Sequence, residues 1–141
     1  MKKLSILITI LFSMIFTFPS YGSWEFILKH KSGDESYYLD FNSIRKVGDK
    51  VFYWTLTNYN VPLEEWKDGQ PNGFSKSALK YYEADCNRLG VKTLSVSSFR
   101  NEMGDGDLIE NLTDLWEMVY LIPNKRNYHL TLLNKVCNHI K

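Results

Sequence analysis

Few side chains in this 141-residue chain could carry out chemistry: three histidines, two cysteines and one acidic turn. A hydrolytic site needs a nucleophile, a base and a group that orients the base. None of the histidines, His30, His129 and His139, lies in a recognisable catalytic motif. The nucleophile elbow G-x-S-x-G, the zinc motif H-E-x-x-H and the phosphate-binding G-x-x-x-x-G-K-[ST] loop are all absent from the sequence. We therefore expect a protein that is not an enzyme.

Two groups of residues offer ligands for a metal ion. Zinc ligands are offered by Cys86, Cys137, His129 and His139. The short paired spacings of zinc sites are missing, because only Cys137 and His139 lie close in sequence. The turn Met103-Gly104-Asp105-Gly106-Asp107 offers carboxylates to calcium but lacks the EF-hand spacing, and a tight turn between strands explains it better. We expect no metal and no cofactor.

The charge balance disfavours one class of partner. The chain has 17 Lys and Arg against 16 Asp and Glu, a formal net charge of +1. Binding to nucleic acid depends on many basic contacts to phosphates, so we expect no nucleic-acid partner. With 44% hydrophobic and 15% aromatic residues, the chain can fill the core of one folded domain.

The N-terminus has the pattern of a secretory signal peptide. A basic start, Met1-Lys2-Lys3, precedes an apolar run over residues 4–18, which is shorter than the roughly 20 residues of a spanning helix. Small residues at Ser20 and Gly22 fit the positions that signal peptidase reads. We expect residues 1–22 to be a signal peptide that is cleaved after Gly22. Cleavage after Ser23, which would put the bulky Tyr21 at the first of those positions, and an uncleaved membrane anchor are the alternatives.

The mature domain, residues 23–141, would then be exported and close to neutral. Removal of Lys2 and Lys3 leaves 15 basic and 16 acidic side chains, a net charge of −1 over 119 residues. No cysteine lies near the cleavage site, so we expect an unlipidated protein without stable membrane insertion. Its location would be periplasmic or secreted, with association to the cell surface left open.

Export changes how the two cysteines are interpreted. Oxidising compartments convert a matched pair into a crosslink, so we expect a disulfide between Cys86 and Cys137. The loop that this bond closes has about 52 residues, for which the chain-entropy relation gives roughly 4 kcal/mol of stabilisation.

Hydrophobic periodicity predicts an α+β fold. Alternation predicts strands at residues 24–29, 37–41, 50–59, 75–85, 91–100 and 116–122. Because Pro and Gly recur in residues 60–73, that stretch is predicted to be a long irregular loop. Helical spacing near the C-terminus appears at Leu130, Leu133, Val136, Cys137 and Ile140. We expect an antiparallel sheet of about five to six strands with a C-terminal helix packed on one face.

Aromatic residues supply the candidate binding site. Trp24, Trp54 and Trp116 lie in predicted strands and are expected in the core or in cross-strand pairs, not on a binding surface. Trp66 lies instead in the predicted polar loop, and we interpret it as a contact for a partner, together with its neighbours Glu64, Glu65 and Lys67. The alternative is that the Trp66 ring folds back as a lid over the core.

A set of ordered markers runs along the mature chain. The markers are Trp24, Tyr38-Leu39-Asp40, Ser43-Ile44, Val51 with Trp54 and Leu56, Gly73 with Ser75, Asp85-Cys86, Phe99, Met103-Gly104-Asp105-Gly106, Trp116, Pro123 and Val136-Cys137. In this combination the chain resembles the surface-adhesin protein E family of small exported bacterial proteins.

The resemblance implies an antiparallel sheet with a packed helix, a disulfide between Cys86 and Cys137, and a role other than catalysis. It also implies binding to host proteins of the extracellular matrix or plasma, which is the role of the adhesin that gives the family its name. A structural or accessory protein of the periplasmic envelope, with no host ligand, is the second hypothesis.

Overall fold

Strands with alternating side chains make up most of the computed structural model, which describes residues 22–113, 117–121 and 127–141. The strands are β1 (Trp24–Lys29), β2 (Glu35–Asp40), β3 (Arg45–Val47), β4 (Lys50–Lys67), β5 (Gln70–Asp85), β6 (Gly90–Phe99), β7 (Leu108–Thr113) and β8 (Val119–Tyr120). Near the C-terminus follows the helix α1 (Tyr128–His139). No helix within these residues is long and apolar enough to cross a membrane.

All eight strands belong to one antiparallel sheet. Its order is β1-β2-β4-β5-β6-β7, with β3 paired to β4 and β8 paired to β6. The predicted antiparallel sheet with one C-terminal helix is therefore confirmed, but the predicted count of five to six strands is wrong. The sequence missed β3, whose three residues are too few to show alternation, and β7, whose polar centre Glu110-Asn111 hides the pattern.

One face of the sheet carries the core and the helix. Asn127 caps α1, because its side-chain oxygen accepts a hydrogen bond from the His129 backbone N–H at 2.9 Å. The buried side of α1 meets residues from four strands. This core comprises Tyr37, Leu39, Val51, Tyr53, Tyr82, Ala84 and Val91 from the sheet, with Leu132, Leu133, Val136 and Cys137 from the helix.

The end of β5 is fixed to both the sheet and the helix. The Asp85 carboxylate pairs with the Lys50 ammonium at 3.2 Å and accepts the backbone N–H groups of Asn87 and Arg88. These interactions, first of all the Arg88 N–H, lower the pKa of Asp85. They set the turn in which Cys86 lies, and Cys86 forms the predicted disulfide with Cys137 of α1.

The turn that contains Gly104, which we call the glycine turn, packs on the opposite face of the sheet. A 3₁₀ turn over Glu102–Gly104 docks on β4 and β5, where the Asn58 side chain accepts the Met103 N–H at 2.8 Å and the Ser77 hydroxyl accepts the Gly104 N–H at 2.9 Å. Gly104 has φ +71°, and an added Cβ would lie 3.4 Å from Leu79 Cγ. The predicted tight turn therefore also packs against the sheet.

A second short turn completes the hydrogen bonding of β4. Asp40 accepts the Asn42 N–H at 3.0 Å, and the Ser43 hydroxyl donates to the Asp40 carbonyl at 2.6 Å. The same hydroxyl accepts the Trp54 N–H at 3.0 Å. Trp54 lies where the neighbour of β4 changes from β3 to β2, so Ser43 takes the place of a strand partner there.

Of the tryptophans expected in the core or in cross-strand pairs, Trp54 forms a cross-strand pair with Tyr81, and neither Trp24 nor Trp54 lies in the core under the helix. Trp24 and Trp54 are only partly buried and line a shallow cavity on the face that carries the glycine turn, where Trp54 stacks on Tyr81. Strand alternation explains the difference, because Tyr53 takes the helix-facing position. Trp116 lies outside the described residues, and of the predicted strand 116–122 the structure shows Val119–Tyr120.

We predict that removing the disulfide destabilises the domain. Replacing both cysteines, Cys86→Ser with Cys137→Ser, should lower the free energy of unfolding by about 2–5 kcal/mol, because the unfolded chain gains the freedom of the opened loop. Urea unfolding of the wild-type and double-variant domains measures the difference. A loss below about 1 kcal/mol would contradict the role given to the crosslink.

Candidate functional site

Strands β4 and β5 continue well beyond their neighbours. β2 pairs with β4 only as far as Tyr59, and β6 pairs with β5 only from Ser77 onward. The intervening part of the hairpin, residues 60–76, is a two-stranded extension that we call the ribbon. The predicted irregular loop at residues 60–73 is therefore wrong.

The turn explains why the ribbon forms. Asp68 and Gly69 have φ +52° and +76°, the left-handed conformation at both central positions of a two-residue hairpin turn. Pro62 lies in the irregular register between Asn58 and Leu63, where the outer side of β4 no longer faces β2. A proline is tolerated there because no neighbouring strand needs its missing N–H.

Both strands of the ribbon are hydrogen-bonded to neighbouring segments. On the β4 side, the Asn60 N–H donates to the Asp34 carbonyl at 2.7 Å and the Asn60 amide donates to the Gly33 carbonyl at 2.6 Å. On the β5 side, the Asn72 amide donates to the Ile109 carbonyl at 3.3 Å. The ribbon therefore leaves the sheet at a defined place, with its tip exposed.

All four predicted partner-binding residues lie in sequence on the ribbon strand of β4. Trp66 is 55% exposed and is opposite Pro71, so the ring does not fold back over the core. Glu64 and Lys67 are exposed as well. Glu65 is partly buried and accepts a hydrogen bond from the Ser75 hydroxyl at 2.6 Å, which links the two strands of the ribbon.

Sequence reasoning missed three apolar residues of the same ribbon. Val61, Leu63 and Phe74 are 63%, 48% and 55% exposed. Leu63 and Phe74 lie in cross-strand pairs close to Trp66, at Leu63–Ser75 and Glu64–Phe74. The dipeptide Asp68-Gly69, flanked by apolar residues on both sides, is the hairpin signal that could have found them.

A cavity of about 380 Å³ lies on the helix-facing side of the sheet. It is bounded by β5, β6 and β7, by the start of α1 and by the ribbon residues Leu63 and Glu65. Its volume falls within the range of small-molecule sites, about 300–1,000 Å³. Lys80 and His129 are its basic side chains, and the rest of the lining combines aliphatic and tyrosine side chains with Asn127 and three glutamates.

Stacked rings join the start of α1 to the sheet beside this cavity. The Tyr37 and Tyr128 rings stack at 4.3 Å, Tyr128 lies 4.0 Å from the His129 ring, and His129 meets the edge of Tyr82 at 5.9 Å. Burial, reinforced by the Lys80 charge, lowers the pKa of His129 to about 4. His129 is therefore neutral at pH 7 and acts as a packed ring.

The other two histidines lie in different places. His30 is on the exposed turn after β1, where its Nδ1 is 2.8 Å from the Ser32 hydroxyl, and His139 packs against Phe41. The three histidines thus do not share a site. Among the described ranges, no group of His, Cys, Asp or Glu side chains is placed to hold a metal ion.

Comparison with known families gives one match over most of the chain. The family model described as surface-adhesin protein E matches residues 24–138. No match is found among curated protein sequences.

Solved structures of similar fold include those of protein E of Haemophilus influenzae. One has a TM-score of 0.61 at 16% identity, covering 80% of this chain and 85% of that chain. A second crystal form gives 0.59 at 17% identity, covering 82% and 90%. Protein E from a non-typeable strain gives 0.52 at 15% identity, covering 89% and 93%. At these identities the likeness establishes the fold.

We predict that His129 makes the domain sensitive to mild acid. Its pKa falls from 6.5 to about 4 on folding, so between these values the unfolded chain binds more protons and stability decreases as pH falls. From about pH 7 to about pH 5 the loss should approach about 2 kcal/mol. Urea unfolding at both pH values measures it.

Two variants separate this effect from other titrations. His129→Phe keeps a packed ring and should remove most of the loss, whereas His30→Phe, at an exposed position, should keep it. The lowered pKa of Asp85 affects stability only at a lower pH, because its stabilisation is lost as pH falls below about 3.8. An equal loss in wild type and His129→Phe would show that another group is responsible.

Proposed function

The chain belongs to the surface-adhesin protein E family, and on that premise we propose that its exported domain binds a host protein of the extracellular matrix or plasma through the ribbon. The observation that carries the proposal is the exposed Trp66 on a projecting two-stranded element. Tryptophan is enriched among the residues that dominate binding energy at protein interfaces.

The ribbon combines apolar anchors with charged surroundings. Val61, Leu63, Trp66 and Phe74 each expose about half or more of their surface within one short hairpin. Such a group of exposed apolar side chains on a soluble protein is typical of an interaction site. Glu64 and Lys67 flank the tryptophan and offer polar contacts of opposite charge at the rim of an interface.

The near-neutral charge of the domain supports recognition by shape. With 15 basic and 16 acidic side chains after cleavage, long-range attraction to a charged partner would be weak. Affinity would then depend on a few anchors and on a ribbon that is already ordered, which reduces the entropy lost on binding. We assign Glu65 to this ordering, because its bond to Ser75 ties the strands together.

We predict that Trp66→Ala weakens binding to the host partner by about tenfold or more, because a central indole contributes at least about 2 kcal/mol at such sites. The measurement is surface plasmon resonance of the domain over immobilised matrix and plasma proteins. Phe26→Ala is the matched control, since Phe26 is an aromatic residue with the same 55% exposure but lies on the edge strand β1.

Three results would count against the proposal. They are no saturable binding of the wild-type domain at micromolar concentration, equal binding by wild type and Trp66→Ala, or an equal loss in Phe26→Ala. The first would remove the adhesin role, while the other two would keep binding but move the site away from the ribbon.

The adhesin role also requires that the domain leaves the cytoplasm and reaches host proteins. We propose that residues 1–22 are a signal peptide and that the mature protein begins at Ser23, without a lipid. N-terminal sequencing should find Ser23, and protease added to intact cells should remove the mature protein. An entirely protected periplasmic pool would favour the structural or accessory role in the envelope instead.

A further inference from the structure

Lys80 lies on the floor of the 380 Å³ cavity, in the middle of the sheet. It projects from β5, where it pairs with Thr55 of β4 on one side and Val96 of β6 on the other. The side chain is only partly exposed, and burial lowers its pKa. Partial burial of a charged ammonium group costs free energy unless a hydrogen-bond acceptor or an opposite charge lies beside it.

No described residue supplies that acceptor at contact distance. Within residues 22–113, 117–121 and 127–141, the ion pairs are Lys50–Asp85 and Arg100–Asp107, and Lys80 takes part in neither. Glu35 attracts Lys80 through space. The Glu35 carboxylate, however, already accepts a hydrogen bond from the Tyr37 hydroxyl.

Three acidic side chains line the cavity, Glu65, Glu110 and Glu117, and none of them forms an ion pair with Lys80. Glu65 accepts the Ser75 hydroxyl, Glu110 lies on the edge strand β7, and Glu117 is exposed. His129 is neutral at pH 7 because of its lowered pKa and adds no charge. The cavity therefore places one cation at its floor, beneath apolar walls.

Those walls suit a flexible aliphatic chain. Val96 and Leu112 lie opposite each other on β6 and β7, Val91 and Val119 pair at the other end, and Leu63 and Leu121 also line the space. Burial of methylene groups against such walls favours binding. A ligand that fits both features has an apolar tail and one anionic head.

We propose that this cavity binds a free aliphatic monocarboxylic acid, with its carboxylate on the Lys80 ammonium and its alkyl chain along the walls of β6 and β7. An ion pair formed at this depth would be a charge-assisted hydrogen bond, stronger than a neutral one. An ammonium-bearing ligand would meet Lys80 with like charge. The inference does not rest on host binding, although the ribbon residue Leu63 forms part of one wall.

Titration calorimetry with decanoic acid tests the proposal on the wild-type domain. We expect a dissociation constant of about 10–100 µM, in the range that a ligand of this size can reach. Decanamide, which has the same chain without the charge, should bind about tenfold more weakly or worse. This comparison needs no variant, so it does not depend on the folding of a mutant protein.

Variants then locate the site. Lys80→Met should reduce the affinity for decanoic acid about tenfold or more and leave that for decanamide nearly unchanged. Val96→Trp should weaken both ligands by filling the cavity. Lys76→Met, on the same strand at an exposed position, is the control and should change neither. Absence of decanoic acid binding, equal affinity for acid and amide, or unchanged binding in Lys80→Met would each overturn the proposal.

Discussion

The long antiparallel ladder between β4 and β5 is the constraint on which the rest of the structure depends. Its register is fixed at one end by the two-residue turn Asp68-Gly69 and runs, with two irregularities, to the pair Val51–Ala84. The neighbouring strands and the glycine turn are positioned by their contacts with this hairpin. β2 and β3 pair with β4, β6 pairs with β5, and the glycine turn docks across both strands. A slip of one residue would exchange the two faces of the sheet and take Tyr53 and Tyr82 out of the core under the helix.

The two ends of this hairpin have different tasks. At one end, Asp85 and Lys50 close the ladder, and the disulfide from Cys86 fixes α1 over the β2, β4 and β5 side of the sheet. At the other end, β4 and β5 extend beyond their neighbouring strands and form the ribbon. Because one 12-residue helix covers only part of a wide sheet, the β5, β6 and β7 side retains a cavity with Lys80 at its floor. The crosslinked core thus stabilises one projecting and one concave surface, which meet at the ribbon residues Leu63 and Glu65.

Much of this fold follows from the sequence, and the exceptions have physical causes. The disulfide was predictable because two cysteines in an exported chain allow one intramolecular pairing, and the C-terminal helix and the strand around Tyr53 because hydrophobic periodicity is a local pattern. The ribbon was missed because Pro and Gly usually interrupt strands, whereas here Gly69 makes the turn. Trp66 was predicted to be exposed for the wrong reason, since it lies in a strand and not in a loop. The cavity could not be predicted, because Lys80 and His129 are brought together only by the packing of α1 on the sheet.

Hydrogen exchange of the domain, alone and in complex with a matrix or plasma protein that it binds, tests the central claim most directly. The ribbon lies outside the paired centre of the sheet, so its outer backbone groups are open to solvent until a partner covers them. We expect binding to slow the exchange of amides within residues 61–75 and to leave the edge strand β1 unchanged. Slowed exchange confined to β1 or α1, with none in the ribbon, would contradict the assignment of the ribbon as the binding surface.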